Sequence, residues 1–405
     1  MNVLMLAPEF LPCRGGVGVY IAEIARHMPP DVNIHIVTPH RVRMESQSIA
    51  DEEISNQSFP SNITVHFLGK AQDSFFYNLK FQLHCAAKVK SLIKEYDIDI
   101  IHSQSAMPDL FLSLKKIKVP IVTTIHTTIA SQKGAIKSSQ QPFFQLDSSE
   151  QFTFLFSPAL IAMENWYYSK DRHYITVSDW AKQKVTIEKG IEPERIEVIH
   201  NGIDAHFFQP YDRTLAQSYL PELPPIHSPV ILFLSRMIQS KGIHDLITAI
   251  PTILKRNDAT FIIAGPGKQI KYSVPKQNII QLGYIPHDIT RFLYSCADIF
   301  TLPSLSENFP LSVLEAMASK NAVVASNVGG IPEMITHEKN GVLIPPHDPR
   351  SIEKAITRLL EDENYRKELG ENAREAVIKK FQWDKAAKLT KEYYIGVIED
   401  ANSAS

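Results

Sequence analysis

Residues 299–318 read IFTLPSLSENFPLSVLEAMA, which joins a short apolar strand to a helix through a segment that carries a carboxylate. Glu307 stands just before the helix start, and Glu315 lies on the turns that follow it. A helix start offers unbonded backbone N–H groups and the positive end of a dipole, so it suits a phosphate. Acidic groups beside a phosphate help binding only if they hold hydroxyls. The stretch therefore predicts a ligand with both phosphate and sugar, which is a sugar nucleotide.

The length and composition of the chain indicate a two-domain globular protein. Its 405 residues are more than one ordinary core holds. Apolar residues make up 44% and charged residues 21%, and the net charge of -2 gives no reason to expect nucleic acid as a partner. The three cysteines, Cys13, Cys85 and Cys296, have neither metal-binding nor redox spacing. Together with an N-terminus that enters a strand without a signal pattern, they lead us to expect a cytoplasmic protein.

The segment that comes nearest to a membrane span is 152–163, which Pro158 interrupts. It is shorter than the ~18 apolar residues of a spanning helix. It fits either a core helix or cleft wall, or a surface that meets lipid or a lipid-linked acceptor. Lys133, Lys137 and Lys170 flank it and would suit an anionic surface. A peripheral contact with the inner membrane face is therefore one of two open interpretations.

Both halves of the chain alternate apolar runs with helical patterns. Several runs are continuous in Val and Ile, as expected of parallel strands buried on both faces. Predicted strands include Val3–Ala7 and Ile98–His102 in the first half and Val230–Ser235 and Ile299–Leu302 in the second. The alternation predicts an α/β fold with two Rossmann-like, doubly wound domains that face each other across a cleft.

A proline-rich, weakly patterned break separates the two halves. We predict a first Rossmann-like domain over residues 1–208, a linker over 209–228 and a second Rossmann-like domain over 229–380. Residues 381–405 are predicted to form a C-terminal helix and tail that return to the first domain.

Three loops follow predicted strands, at the sheet edge where ligands bind in open α/β folds. Gly15 and Gly16 follow the first strand and let the backbone approach a ligand, although the G-x-G-x-x-G and Walker patterns are absent. Arg236 and Lys241 bracket a helix start and suit a diphosphate. His126 ends a strand, where it could bind a sugar hydroxyl or steer a proton. A tight turn, ordinary surface charge and a structural histidine are the respective alternatives.

Together these motifs resemble the retaining glycosyltransferases of family 4, which have the GT-B fold. The resemblance covers nearly the whole chain. The paired-glutamate motif E-x7-E is matched by Glu307 and Glu315. The other matching elements are Gly15-Gly16-Val17 for the glycine loop, His126 for the acceptor-side histidine, Asn201-Gly202-Ile203-Asp204 for the NG-[VI]-D turn, and Ser235-Arg236 with Lys241-Gly242 for the SR…KG element.

The resemblance implies a role for each matching residue. Arg236 and Lys241 would bind the donor diphosphate and stabilise the departing nucleotide, Glu315 would hold the ribose, and Glu307 would contact the donor sugar. His126 would lie near the reacting sugar. The first domain would bind the acceptor and the second the nucleotide sugar. The remaining donor-binding positions are Gly15, Gly16, Phe309 and the backbone N–H groups of Leu311 and Ser312. Many members have glycine where this chain has Pro310, which has no N–H to donate.

The resemblance leads us to expect a retaining glycosyltransferase that moves a sugar from a UDP- or GDP-sugar to an acceptor hydroxyl, in lipid-linked glycan or surface polysaccharide synthesis. The acceptor would be a sugar or a lipid-linked sugar. Neither a metal nor a cofactor besides the donor is expected, because no D-x-D follows a strand and Asp97-Ile98-Asp99 precedes one. The alternatives are a sugar-nucleotide epimerase of the same architecture and a non-catalytic sugar-nucleotide-binding subunit.

Overall fold

A computed structural model describes residues 1–10, 15–41, 59–71, 77–104, 107–115, 117–138, 142–146, 148–170, 172–226, 228–267 and 278–403. The chain divides into two compact units. The first comprises Met1–Ala130, Phe156–Asn201 and Trp383–Ser405, and the second comprises Ser131–Leu155 and Gly202–Gln382. The domain boundaries read from the sequence stay predictions beside this division. Cys13 and residues 11–14 of the first glycine loop lie outside the described residues.

Within the described ranges, seven parallel strands form the sheet of the first unit. They are β1 (Asn2–Leu6), β2 (Asn33–Arg41), β3 (Ile63–Ala71), β4 (Ile100–Gln104), β5 (Ile121–Ile125), β6 (His173–Thr176) and β7 (Ile196–Val198). Their order is β3-β2-β1-β4-β5-β6-β7. Leu4 of β1 pairs with His35 on one side and Ile101 on the other. The order therefore reverses between β1 and β4, which is where such sheets open a ligand crevice.

The described residues also form thirteen α-helices. They are α1 (Gly16–His27), α2 (Tyr77–Glu95), α3 (Ile129–Ser138), α4 (Ser148–Tyr168), α5 (Asp179–Lys189), α6 (Arg213–Ser218), α7 (Ile243–Leu254), α8 (His287–Cys296), α9 (Leu311–Ala318), α10 (Ile331–Met334), α11 (Pro349–Glu361), α12 (Glu363–Lys380) and α13 (Trp383–Ser403). In the part of the chain so described, none of them combines the length and the apolar character that crossing a bilayer requires.

The C-terminal helix α13 belongs to the first unit, as predicted. It packs against α1, and Trp383 and Tyr394 are buried there. The Trp383 ring lies edge-on to Tyr20 of α1, with ring centroids 6.1 Å apart. Burial of these large aromatic side chains explains why the chain returns to the first sheet after finishing the second.

Helix α4 overturns two expectations for the apolar segment 152–163. Pro158 lies inside the helix and does not interrupt it, because one missing N–H is tolerated when the flanking turns pack. A core position is also wrong for part of the segment, since Phe154 and Leu155 are 37% and 60% exposed. Its last turns bury Glu164, Tyr167 and Tyr168, and Glu164 accepts a hydrogen bond from the Ile129 N–H at 3.0 Å, which holds the start of α3.

The second unit contains six parallel strands in the described residues. They are β8 (Val230–Leu234), β9 (Thr260–Ala264), β10 (Ile279–Leu282), β11 (Ile299–Leu302), β12 (Ala322–Ser326) and β13 (Val342–Ile344). Their order is β10-β9-β8-β11-β12-β13, so this sheet reverses between β8 and β11. Both sheets thus have the doubly wound order that the sequence predicted.

Residues 209–228, predicted to be a linker, lie within the second unit. Helix α6 forms there because Asp212 caps it, accepting a hydrogen bond from the Leu215 N–H at 2.9 Å. The Tyr219 ring then stacks on Phe292 of α8 with centroids 4.1 Å apart. This segment is therefore packed against α8.

Candidate functional site

The second unit brings two loops together at the carboxyl ends of β8 and β11. Arg236 and Lys241 lie on the loop after β8, and Glu307 lies on the loop after β11. The Leu305 N–H donates to the Ser240 carbonyl at 2.9 Å, which ties the loops to each other. Because β8 and β11 are the neighbours at which the strand order reverses, these loops border the expected ligand crevice.

Lys241 and Glu307 form the centre of this arrangement. The Lys241 ammonium donates to Glu307 Oε1 at 2.6 Å, and the Ser304 hydroxyl donates to the same oxygen at 2.7 Å. The Glu307 side chain is 8% exposed and the Lys241 side chain 20% exposed. A nearly buried carboxylate with two donors has one well-defined position, and it holds the ammonium in place in turn.

Two glycines allow the backbones of this site to touch. Gly242 has φ +73°, and a Cβ there would lie 1.8 Å from the Pro303 carbonyl oxygen. Gly329 has φ +58°, and a Cβ there would lie 1.6 Å from the Glu307 carbonyl oxygen. Only glycine fits such conformations and such contacts without a shift of the chain. The Lys241 and Glu307 loops are therefore positioned by backbone packing as well as by the ion pair.

Helix α9 begins beside Glu307. Pro310 occupies the N-cap position without a side-chain cap hydrogen bond, and the helix starts at Leu311. Phe309 is buried, with its ring edge-on to Phe381 at 5.4 Å. Leu311 and Ser312 are the first helical residues, so their N–H groups belong to the set that an α-helix leaves without an internal acceptor. Such a helix start can bind an anion.

Glu315 has a set of partners separate from that of Glu307. Tyr294 of α8 donates to Glu315 Oε2 at 2.7 Å, and His287 Nε2 lies 3.4 Å from Oε1. Burial, followed by the neighbouring Glu315 carboxylate, raises the pKa of Tyr294 well above its ordinary value, so the phenol stays a donor. Glu315 is therefore buried and oriented by α8.

Arg236 stands apart from these two groups. It is exposed, and within the described ranges its guanidinium makes no ion pair. The structure thus brings Lys241 together with Glu307, attaches Glu315 to α8, and leaves the Arg236 side chain in solvent at the end of β8.

The first unit carries the other predicted site residues. Gly15 is the N-cap of α1 with φ −83° and ψ 168°, and it has no side-chain cap. A Cβ at Gly16 would meet nothing within 4 Å in the described residues. Helix α1 thus begins, uncapped by a side chain, after the strand β1 at which the sheet order reverses.

His126 follows β5 and is half-buried. Its Nε2 lies 2.9 Å from Gln104 Oε1, and its ring stands edge-on to Tyr20 with centroids 4.7 Å apart. Burial lowers the pKa of His126 to about 4, so the ring is neutral near pH 7. A neutral imidazole can accept or donate a hydrogen bond but cannot offer a full positive charge.

Sequence reasoning missed the residues that orient the predicted ones. Ser304 lies three positions before Glu307, and that spacing of a hydroxyl and a carboxylate is a recognisable local signal. Tyr294, His287 and Gln104 had no such signal, because each reaches its partner only through the packing of a different element.

Comparison with known proteins identifies relatives over the whole chain. Residues 222–376 match the family Glycosyl transferases group 1, and residues 14–207 match Glycosyltransferase Family 4. An uncharacterized glycosyltransferase of Methanocaldococcus jannaschii is 32% identical over 397 residues, which cover 94% of this chain and 90% of the relative.

Solved structures share the fold. Sucrose-phosphate synthase from Thermosynechococcus elongatus superposes with a TM-score of 0.76 at 19% identity and covers 100% of both chains. HepE from Anabaena in complex with UDP-glucose has a TM-score of 0.70 at 20% identity, over 98% of this chain and 100% of the other. These likenesses confirm the predicted α/β fold of the GT-B type.

Proposed function

The chain belongs to the group 1 glycosyltransferases of family 4, and we propose that it moves a sugar from a UDP- or GDP-sugar to an acceptor hydroxyl with retention. The fold shared with a UDP-glucose complex supports a nucleotide-sugar donor. The acceptor in this proposal is a sugar or a lipid-linked sugar, and the product enters lipid-linked glycan or surface polysaccharide synthesis.

The observation that carries the proposal is the Lys241–Glu307 pair at the start of α9. An ammonium has three N–H donors, and Glu307 takes one of them, so donors remain for a diphosphate. The N–H groups of Leu311 and Ser312 would add to them at the helix start. Bond breaking gives the diphosphate extra negative charge, and a preorganised donor of this kind typically lowers the barrier by ~3 kcal/mol.

The other residues take the following roles in the proposal. Arg236, whose side chain is exposed, would reach the diphosphate, and with Lys241 it would supply the positive charge without a metal. Glu315 would bind the ribose, Glu307 the donor sugar, and His126 would lie near the reacting carbon. Gly15 and Gly16 would approach the diphosphate, and Phe309 would border the donor.

The proposed chemistry uses no covalent intermediate. The acceptor hydroxyl attacks the anomeric carbon from the face that the diphosphate leaves. Its proton passes to the departing phosphate oxygen. Intact-protein mass spectrometry during turnover should show no glycosylated enzyme, and a trapped adduct would refute the same-face mechanism.

A double variant tests the phosphate site. The double variant Arg236→Ala/Lys241→Ala should lose transfer from a radiolabelled UDP- or GDP-sugar. Its circular dichroism spectrum should match that of the wild type. The matched control is Lys367→Ala, which breaks the exposed Lys367–Glu363 pair (2.6 Å) on α12 and should retain full activity. Near-normal turnover in the double variant would show that the phosphate site lies elsewhere.

A donor screen tests the substrate class. A thermal-shift series with UDP- and GDP-sugars should reveal the donor, since ligand at 100 times its Kd stabilises by ~2.7 kcal/mol. Glu315→Gln should weaken nucleotide binding in calorimetry. An epimerised sugar nucleotide formed without acceptor would favour an epimerase, and binding without turnover would favour a non-catalytic subunit.

The proposed lipid-linked acceptor rests on exposed apolar side chains. Phe144 is 77% exposed and Leu155 60%, while the Phe143 and Phe154 rings lie 6.1 Å apart. We propose that this surface contacts the membrane from which the acceptor is taken. In a flotation assay, the wild type should float with anionic vesicles and the Phe144→Ser variant should not. Equal flotation of both proteins would count against the contact.

A further inference from the structure

A buried chain of polar side chains in the first unit ends at His126. It begins on the C-terminal helix α13, where the Tyr394 hydroxyl lies 2.5 Å from His102 Nδ1. His102 Nε2 lies 2.6 Å from the Thr124 hydroxyl and 3.5 Å from Gln104 Nε2. Gln104 Oε1 then lies 2.9 Å from His126 Nε2.

Every supporting member of this chain is buried. Tyr394, His102 and Thr124 are each 0% exposed, and Gln104 is 1% exposed. Buried polar groups must find partners inside the protein, so a chain of this kind allows few alternative arrangements. The side chains come from β4, β5 and α13, which fixes them relative to the sheet.

The donor and acceptor pattern along the chain is coupled. A Gln104 Oε1 atom only accepts, so in this arrangement His126 Nε2 carries the proton. The Gln104 amide nitrogen only donates, so His102 Nε2 is the acceptor in that contact. The His102 proton is then on Nδ1, which faces the Tyr394 hydroxyl. Burial, followed by the nearby His126, lowers the pKa of His102 to about 3, so this ring is neutral and has a single proton to place.

We propose that Gln104 is a positioning residue for glycosyl transfer, which holds His126 as the Nε2–H tautomer in one ring orientation, with His102 and Tyr394 fixing the Gln104 amide. The inference rests on the proposed place of His126 beside the reacting sugar. A histidine held in one ring orientation and one tautomer presents one hydrogen-bonding edge to that sugar, so part of the orientation cost is met before the substrate binds.

Two variants test the inference. Gln104→Met removes both amide groups at similar volume, and Tyr394→Phe removes only the hydroxyl at the far end of the chain. The matched control is Tyr393→Phe, on the neighbouring residue of α13, whose hydroxyl donates instead to the Arg195 carbonyl at 3.0 Å.

The first readout is the tautomer of His126, from imidazole ¹⁵N chemical shifts of the full chain without substrate. The wild type and Tyr393→Phe should show the Nε2–H form, and Gln104→Met should show a mixture.

The second readout is transfer kinetics. In Gln104→Met, kcat should fall roughly tenfold to a hundredfold with the donor KM unchanged, as expected for a misplaced reacting group. Tyr394→Phe should shift both readouts in the same direction but less.

The two readouts separate this inference from the proposed function. An Nδ1–H tautomer in the wild type, or an unchanged tautomer in Gln104→Met, would overturn the inference. A changed tautomer with unchanged kcat would overturn it as well. Failure of the wild type to transfer sugar from any UDP- or GDP-sugar would instead refute the proposed function, and the NMR measurement does not depend on that result.

Discussion

The packing of Gly242 against Pro303 gives a prediction whose size follows from the structure. Gly242 has φ +73° and ψ 16° and separates the Lys241 turn from α7. In Gly242→Ala the new Cβ would lie 1.8 Å from the Pro303 carbonyl oxygen, whereas ordinary contact begins at 3.4 Å. The two backbones must therefore separate by about 1.6 Å, and the left-handed conformation adds ~1–2 kcal/mol for a residue with a side chain.

This separation occurs at the candidate site. Lys241 precedes Gly242, and Pro303 precedes Ser304, which donates to Glu307. A displacement of this size moves the ammonium away from the carboxylate that holds it. Since a misplacement of about 1 Å can cost ~100-fold in rate, we expect kcat/KM for transfer to fall by at least that factor.

Gly190 supplies a control with the same strain and no collision. It ends α5 with φ +65° and ψ 26°, and a Cβ there would meet nothing within 4 Å in the described residues. Gly190→Ala should therefore lower Tm by the cost of the backbone conformation alone, at about 2–4 °C per kcal/mol, and leave transfer unchanged. Sugar-transfer assays and thermal unfolding of both variants make the comparison. If Gly242→Ala keeps wild-type activity and loses no more Tm than Gly190→Ala, the backbone-packing argument is refuted.

Three further predictions follow from buried polar contacts. Tyr294→Phe removes the donor to the buried Glu315 carboxylate and should lower the free energy of unfolding by about 1.5–3 kcal/mol, measured as a lower Tm. UDP or GDP binding should also weaken in calorimetry. Unchanged binding would show that Tyr294 does not act on the nucleotide site. Ser178→Ala removes the cap of α5, whose Oγ accepts the Ala181 N–H at 3.1 Å, and should cost ~1 kcal/mol of stability without loss of activity. In the folded chain the pKa values of His102 and His126 are lowered to about 3 and about 4. In the unfolded chain both rings have the ordinary pKa of about 6.5, so as pH falls below that value the unfolded state binds protons that the folded state does not. Stability should then decrease by up to ~1.4 kcal/mol per pH unit for each ring, measured as Tm against pH, and His126→Gln should flatten the slope.

The strands could be predicted from sequence because burial on both faces leaves an unbroken apolar run. Val3 to Leu6 are 0–1% exposed, and the predicted strand Val3–Ala7 is displaced from β1 by one residue. The predicted strand Ile98–His102 begins two residues before β4. Asp97 takes φ +46°, and the Ile98 N–H donates to the Ile93 carbonyl to close the preceding helix, so the first residues of the apolar run belong to a turn.

The sequence left two interpretations of the apolar segment 152–163 open, for two physical reasons. Helix α4 leaves Phe154 and Leu155 in solvent, so its apolar residues do not mark a buried face. Helix α3 is held at its start by Glu164, a carboxylate from 35 positions along the chain, and Lys189 Nζ lies 2.5 Å from that same carboxylate. Neither contact leaves a periodic signal in the local sequence.

The charged residues of the candidate site stand in recognisable sequence patterns, whereas the side chains that orient them do not. Arg236 and Lys241 lie soon after one strand and Glu307 soon after another, and Glu315 completes the E-x7-E spacing. Their orientation depends on neutral groups such as Tyr294 for Glu315 and, in the first unit, on Tyr394, which lies 292 positions from His102. A hydrogen bond between distant residues has no sequence period, so only the folded chain reveals it.

Charged residues and the neutral side chains that orient them should respond differently to substitution. Under the proposed function, substituting a charged residue removes an interaction with the donor, so its effect should appear mainly in donor binding or in the chemical step. Substituting a support of His126, such as Gln104 or Tyr394, leaves the imidazole in place and widens its range of positions, so kcat should fall while the donor KM changes little. The supports are also the most buried polar groups, and Tyr294 and Tyr394 are both 0% exposed. They are therefore the positions where loss of activity and loss of stability should be coupled, because the same hydrogen bond serves both.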